Sequence, residues 1–253
     1  MLNVRVAPAP DALFRMAADE LGRIATDAAS GRGVCHIALS GGSTPKALYA
    51  LLATPLYRGS IPWAHTHLFW SDERHVPPDS SQSNYGMARE ALLRHVPVPA
   101  SNVHRICGEL SDAGSAAAQY EDALRQTLKP PPGRPPRFDA ILLGMGEDGH
   151  TASLFPGSAA IGEVSQWVVA PFVEKFRAHR VTFTLPLINE AANVLFLVTG
   201  EAKAPILERV LTGNESAQVL PCRGVHPRDG GLIWFADRAA ASRLPKELQE
   251  GCS

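Results

Sequence analysis

The chain is poor in the features that tie a protein to a large or extended partner. It has no long basic run and a formal net charge of -1, so neither nucleic acid nor an acidic membrane surface is expected as its main partner. Any anion site has to be local. Its four cysteines, Cys35, Cys107, Cys222 and Cys252, form no CxxC pair and no His/Cys cluster. That removes the usual zinc patterns and points to reduced thiols with no metal. No apolar run is long enough to span a bilayer, and the N-terminal stretch lacks the charged-then-apolar pattern of a secretion signal. A soluble, cytoplasmic protein is expected. There is no internal repeat, and low complexity is confined to "KPPPGRPPR", Lys129 to Arg137, which reads as an extended surface loop.

What is present is ample apolar material: 45% of 253 residues are hydrophobic, enough for one α/β domain over residues 1–253. Short apolar runs at Val34 to Leu39, His65 to Trp70, Asp139 to Leu143, Trp167 to Ala170, Val181 to Thr184, Val194 to Val198 and Leu232 to Phe235 read as strands. Between several of them, Asp11 to Ala29, Asn84 to Leu93, Ser115 to Leu128 and Ala202 to Leu211 carry apolar residues at helical spacing. Alternation of this kind predicts a mostly parallel sheet flanked by helices, a Rossmann-like three-layer α/β architecture. Ligands of such sheets bind outside the carboxyl ends of the strands.

One strand-to-helix junction is unusually bare. "SGGSTP", Ser40 to Pro45, follows the apolar run "VCHIAL" and precedes a segment in which Leu48, Leu51 and Leu52 recur at helical spacing. Pro45 suits a first helical turn, and Ser43 and Thr44 suit its cap. Gly41 and Gly42 let an anion approach the backbone, where free N–H groups and the positive end of the helix dipole would meet it. A capped turn with nothing bound would also account for Ser, Thr and Pro at these positions.

Three more polar clusters each follow an apolar run: Ser71-Asp72-Glu73-Arg74, Met145-Gly146-Glu147-Asp148-Gly149-His150 and Thr199-Gly200-Glu201-Ala202-Lys203. In a parallel sheet all three meet the bare junction along one edge. Arg74 and Lys203 are then available to a phosphate, and Asp72, Asp148 and His150 to proton transfer. Taken singly, Arg74 suits a surface ion pair with Glu73 or Asp72, and Lys203 a solvated helix start. "GMGEDG" is formally a G-x-G-x-x-G, yet Pro156 and Gly157 interrupt any helix after it and no acidic residue ends the next strand. A dinucleotide cofactor is therefore not expected. Ser43 lacks the strained G-x-S-x-G elbow of a serine nucleophile.

The stretches "SGGSTP", "WSDERHVPPDSSQSNYGMAREALL", "ILLGMGEDGHTASLFPG" and "RVTFTLPLINEAANVLFLVTGEAKA" resemble, in order and spacing, the 6-phosphogluconolactonases. That resemblance covers most of the chain and implies an α/β fold shared with the glucosamine-6-phosphate deaminases. It also implies cofactor-free hydrolysis of a phosphorylated sugar lactone in the oxidative pentose phosphate pathway. His150 would be the general base, oriented by Asp148 or Asp72. Gly41, Gly42, Ser43, Thr44, Arg74 and Lys203 would hold phosphate, with Arg180, which matches an arginine of the family pattern, assisting. The rival activity is glucosamine-6-phosphate deamination. Deaminases carry a Glu in an Ile-Ala-Phe-Asn-Glu-Pro-Gly loop where this chain has Phe155, and usually a Tyr where it has Arg74. A sugar-phosphate-binding regulator of the same fold would need neither Asp148 nor His150.

Overall fold

The computed structural model describes residues 2–249. In chain order the elements are β1 (Asn3–Ala7), α1 (Pro10–Arg32), β2 (Cys35–Leu39), α2 (Ser43–Leu52), β3 (Thr66–Trp70), β4 (Asp72–Arg74) and α3 (Asn84–Ala88). They continue with α4 (Ala113–Leu128), β5 (Ala140–Gly144), β6 (Val168–Val169), β7 (Phe172–Val173), β8 (Ala178–Phe183), α5 (Leu185–Ile188), β9 (Asn193–Val198), α6 (Ala204–Thr212), β10 (Gly231–Asp237) and α7 (Lys246–Gln249). Six strands form a fully parallel sheet in the order β1-β10-β9-β5-β2-β3. Its central strands are continuous apolar runs because both their faces are covered. Helix α1 shows how the sequence sets an element: Pro10 sits in the first turn, Leu13, Ala17, Leu21 and Ile24 form the buried stripe, and Gly33 closes the end in the left-handed conformation at φ 78°.

Two of the strand-like runs leave the main sheet. β8 pairs antiparallel with β4, β6 and β7 in a small second sheet. The connection 170–177 is too short for the crossover that parallel neighbours require, so these strands fold back on one another. The small sheet packs on the rest of the molecule through Phe183, which stacks on Tyr120 of α4 at 6.1 Å and meets Phe138 at 5.4 Å. The segment Asn84 to Leu93 begins as α3 and ends in a π turn over Arg89–Leu93. Strands β1 and β4 carry no long apolar run and take their place from sheet pairing. The Lys129 to Arg137 loop joins α4 to β5 along the surface, tethered by Arg134 to Glu190 at 2.5 Å and by Arg137 to the Asp229 carbonyl at 2.7 Å. Cys35, Cys107 and Cys222 are unpaired; Cys252 lies outside the described residues. Among the described residues no helix is long and apolar enough to cross a membrane.

At the amino ends of β2 and β3, His36 and His67 are register partners, and His67 Nδ1 lies 2.9 Å from His104 Nε2. One of those two nitrogens must donate and the other accept, so the pair cannot be doubly protonated in place. Burial, followed by the opposing pull of Asp139 and the push of His67 and Arg32, takes His36 down to about 4. Burial with His67 and His36 takes His104 down to about 4 as well. Depressed bases are neutral when folded and protonate on unfolding, so their contribution is whole above the unfolded value of 6.5 and is lost as pH falls toward about 4. At pH 5 this costs on the order of 2 kcal/mol for the two together, allowing for solvent screening. Urea midpoints at pH 7 and pH 5 should therefore differ more for the native chain than for His104→Gln, and equal differences would remove the cluster from the acid response.

Candidate active site

β2 is flanked by β3 on one side and β5 on the other, so the chain leaves the carboxyl ends of β2 and β5 in diverging directions. That is the switch point at which an open parallel sheet leaves a crevice. Here the crevice is a cleft of about 260 Å³, and Gly41, Gly42, Ser43, Thr44, Asp72, Arg74, His150 and Lys203 all border it. The expected convergence of the polar clusters on the bare junction is thus what the fold produces. Asp148 and Arg180 are not among the residues that border it.

The junction itself differs from a capped turn. The residue before α2 is Gly42, at φ 103°, and no side chain caps the helix. Ser43 and Thr44 lie inside the first turn, so their role as caps is not what the structure shows. The Ser43 and Thr44 N–H groups consequently face outward at the positive end of the dipole. A side chain at Gly41 would place its Cβ 1.9 Å from Asn84 Oδ1, which is why this approach must be bare. Tyr49, absent from the residues the sequence singles out, fixes the corner. Its buried hydroxyl donates to the Ser40 carbonyl at 2.8 Å and accepts from the Ser40 N–H at 2.9 Å. Thr44 Oγ1 meets Thr199 Oγ1 at 2.9 Å, joining the start of α2 to the turn after β9.

The two cations flank that helix end. Arg74 donates from Nη1 to the Gln82 carbonyl at 2.5 Å, and among the described residues neither Arg74 nor Lys203 forms an ion pair with a carboxylate. The alternative ion pair of Arg74 with Glu73 is precluded by what Glu73 does. Buried at the base of the loop, Glu73 accepts from the N–H groups of Arg74, Asn84 and Tyr85 and from the Ser83 hydroxyl, at 2.7–3.0 Å. Burial lifts its pKa above the usual carboxylate range, with those four donors working against the rise. It anchors the start of α3 and so the loop that carries Arg74. Arg180 is the register partner of Arg74 across β4 and β8; burial, then the neighbouring Arg74 charge, pulls its guanidinium below the ordinary value.

His150 has one carboxylate partner. Its Nδ1 lies 2.5 Å from Asp148 Oδ1, and its backbone N–H donates to the same oxygen at 3.2 Å. Burial opposes ionisation of Asp148, but the hydrogen bond and charge of His150, with Lys175 at 3.5 Å from Oδ2, outweigh it and hold the carboxyl below its usual range. With Nδ1–H committed to Asp148, Nε2 carries the free lone pair. Asp72 is engaged elsewhere: Oδ2 accepts from Ser153 Oγ at 2.7 Å and Oδ1 from Asn84 Nδ2 at 3.3 Å. Of the two aspartates considered for orienting the imidazole, the structure selects Asp148. Phe155 stacks on the imidazole with ring centres 4.2 Å apart.

Fold and site together define a parallel α/β protein that presents an uncapped helix end, two unpaired cations and a carboxylate-backed histidine to one cleft at its switch point. The chain belongs to the family of glucosamine-6-phosphate isomerases/6-phosphogluconolactonase, whose family model matches residues 8–234. It is 39% identical to a 6-phosphogluconolactonase of Nostoc sp. over 96% of this chain and 98% of that one. It is 42% identical to a 6-phosphogluconolactonase of Synechocystis sp. over 87% of this chain and 88% of the relative. The solved 6-phosphogluconolactonase from Trypanosoma cruzi superposes with a TM-score of 0.85 at 32% identity, covering 96% of this chain and 97% of that one.

Proposed function

We propose that this chain is a 6-phosphogluconolactonase that hydrolyses 6-phospho-D-glucono-1,5-lactone to 6-phospho-D-gluconate. The observation that carries this reading is the His150–Asp148 pair at 2.5 Å, bordering the same cleft as the uncapped end of α2. The lactone phosphate rests on the Ser43 and Thr44 N–H and hydroxyl groups between Arg74 and Lys203, with Arg180 reinforcing the positive field from behind Arg74. His150 Nε2 removes a proton from a water that attacks C1. The C1–O bond to that water forms, the carbonyl oxygen becomes an oxyanion, and the imidazolium is stabilised by Asp148. Collapse re-forms the carbonyl, breaks the bond from C1 to the ring oxygen, and returns the proton from Nε2 to that oxygen. The product acid then ionises. A lactone carbonyl is electrophilic enough to need neither a metal nor a covalent nucleophile for this sequence.

Deamination of glucosamine 6-phosphate is disfavoured by Phe155. A phenyl ring moves no proton, and here it is packed against the imidazole. A regulator would gain nothing from the buttressed His150. The reaction belongs to the oxidative pentose phosphate pathway, in the cytoplasm, with residues 1–253 acting as one domain on a small phosphorylated lactone rather than on nucleic acid or membrane. Lys203→Ala should raise KM for the phosphorylated lactone by about tenfold or more, the scale of a lost charge-assisted contact, while sparing a non-phosphorylated lactone. Equal losses on the two substrates would make Lys203 structural.

A further inference from the structure

Two exposed side chains of one turn reach toward the catalytic pair without bordering the cleft. The turn joins β7 to β8 through Glu174–Phe176 and closes at Arg177, whose backbone is left-handed at φ 49°. Lys175 Nζ lies 3.5 Å from Asp148 Oδ2, the carboxylate oxygen that His150 Nδ1 leaves free. Phe176 meets Phe155 edge-on, with ring centres 5.7 Å apart, and Phe155 in turn stacks on His150. The Arg180 guanidinium sits 5.1 Å from the Phe176 ring centre. The imidazole thus has two holders, Asp148 at its edge and Phe155 on its face, and the same turn touches both.

We infer that the turn Glu174 to Arg177 is a clasp that fixes the orientation of His150, with Lys175 and Phe176 as positioning residues acting through Asp148 and Phe155. Core packing does not account for the turn: Lys175 is 64% exposed and Phe176 47%. An exposed ion pair and an exposed ring contribute little to stability, so a purely structural role would leave both activity and fold nearly untouched. A dyad allowed to drift by a fraction of an ångström loses rate. This inference rests on the lactonase reading for its kinetic form, but the orientation of His150 can be read without any substrate.

The test uses the full chain with Lys175→Met, Phe176→Ala and the double variant, beside the conservative Lys175→Arg and Phe176→Tyr. The expected result is a kcat lower by about five- to twentyfold in each of the first two, with KM within about twofold and an unchanged melting temperature. Lys175→Arg and Phe176→Tyr should restore kcat to within about twofold of the native chain, since charge and ring are kept. In parallel, the downfield Nδ1–H proton resonance that His150→Asn removes should broaden in Lys175→Met and Phe176→Ala with no lactone present. An undisturbed resonance with unchanged kcat would overturn the clasp. So would a rise in KM alone, which would make the turn a wall of the substrate site, or a kcat loss that merely follows a lower melting temperature. A native chain that opens no lactone would sink the lactonase reading alone, because the resonance still reports on the clasp.

Discussion

Replacing His150 by Ala lowers kcat for lactone opening by about two to four orders of magnitude, the usual contribution of a positioned general base, and changes KM only a few-fold. The groups proposed to hold phosphate come from other elements, the start of α2, β4 and the turn after β9, so removal of the imidazole should leave binding largely whole. Asp148→Asn should follow the same pattern. The amide can still meet Nδ1, but it no longer stabilises the imidazolium that forms as the water is deprotonated. Steady-state kinetics on both variants check this, and turnover equal to that of the native chain would exclude His150 as the base.

Gly146→Ala should be nearly as damaging although a glycine brings no side chain to the reaction. A Cβ built there falls 2.0 Å from His150 Nδ1 and 2.7 Å from Asp148 Oδ1, in the space where the two side chains meet. The colliding atoms belong to side chains rather than backbone, so the loop can fold with the imidazole turned aside. We expect kcat to fall by about two orders of magnitude or more, as for other misplacements of a catalytic group, with a melting temperature close to native. Gly149 is a different case. Its backbone is left-handed at φ 78°, and a Cβ there would meet Leu220 at 2.7 Å, so Gly149→Ala should lower stability as well as rate. Thermal denaturation beside kinetics separates the two variants. A Gly146→Ala enzyme with native kcat would show that the His150–Asp148 contact is dispensable.

The cleft was legible in the sequence because its parts sit at the ends of apolar runs. Once Val34 to Leu39, Asp139 to Leu143 and Val194 to Val198 are parallel neighbours, the loops after them have to converge. The bareness of Gly41 and Gly42 marked a corner that side chains could not occupy, Gly41 for its closeness to Asn84 and Gly42 for its φ of 103°, while Ser43 and Thr44 lie within the helix rather than at its cap. What the sequence hides is contact between distant segments. Asp72 and Asp148 are equivalent as letters after a strand, and only Ser153 and Asn84, gripping Asp72, leave Asp148 to the imidazole. Glu73 looks like a surface charge until four donors are found around it, and Tyr49 looks like a helix-face aromatic until its hydroxyl is seen bridging Ser40. The second sheet was hidden for a related reason. The runs Trp167 to Ala170 and Val181 to Thr184 have strand composition, and only the short connection between them forces antiparallel pairing away from the main sheet.

Ring opening of 6-phospho-D-glucono-1,5-lactone followed by NMR, with spontaneous hydrolysis subtracted and glucosamine 6-phosphate assayed alongside for ammonia, tests the central claim most directly. Fast appearance of 6-phosphogluconate without ammonia is the predicted result. Ammonia release from the amino sugar, or sugar phosphate that binds with no lactone opened, would contradict it.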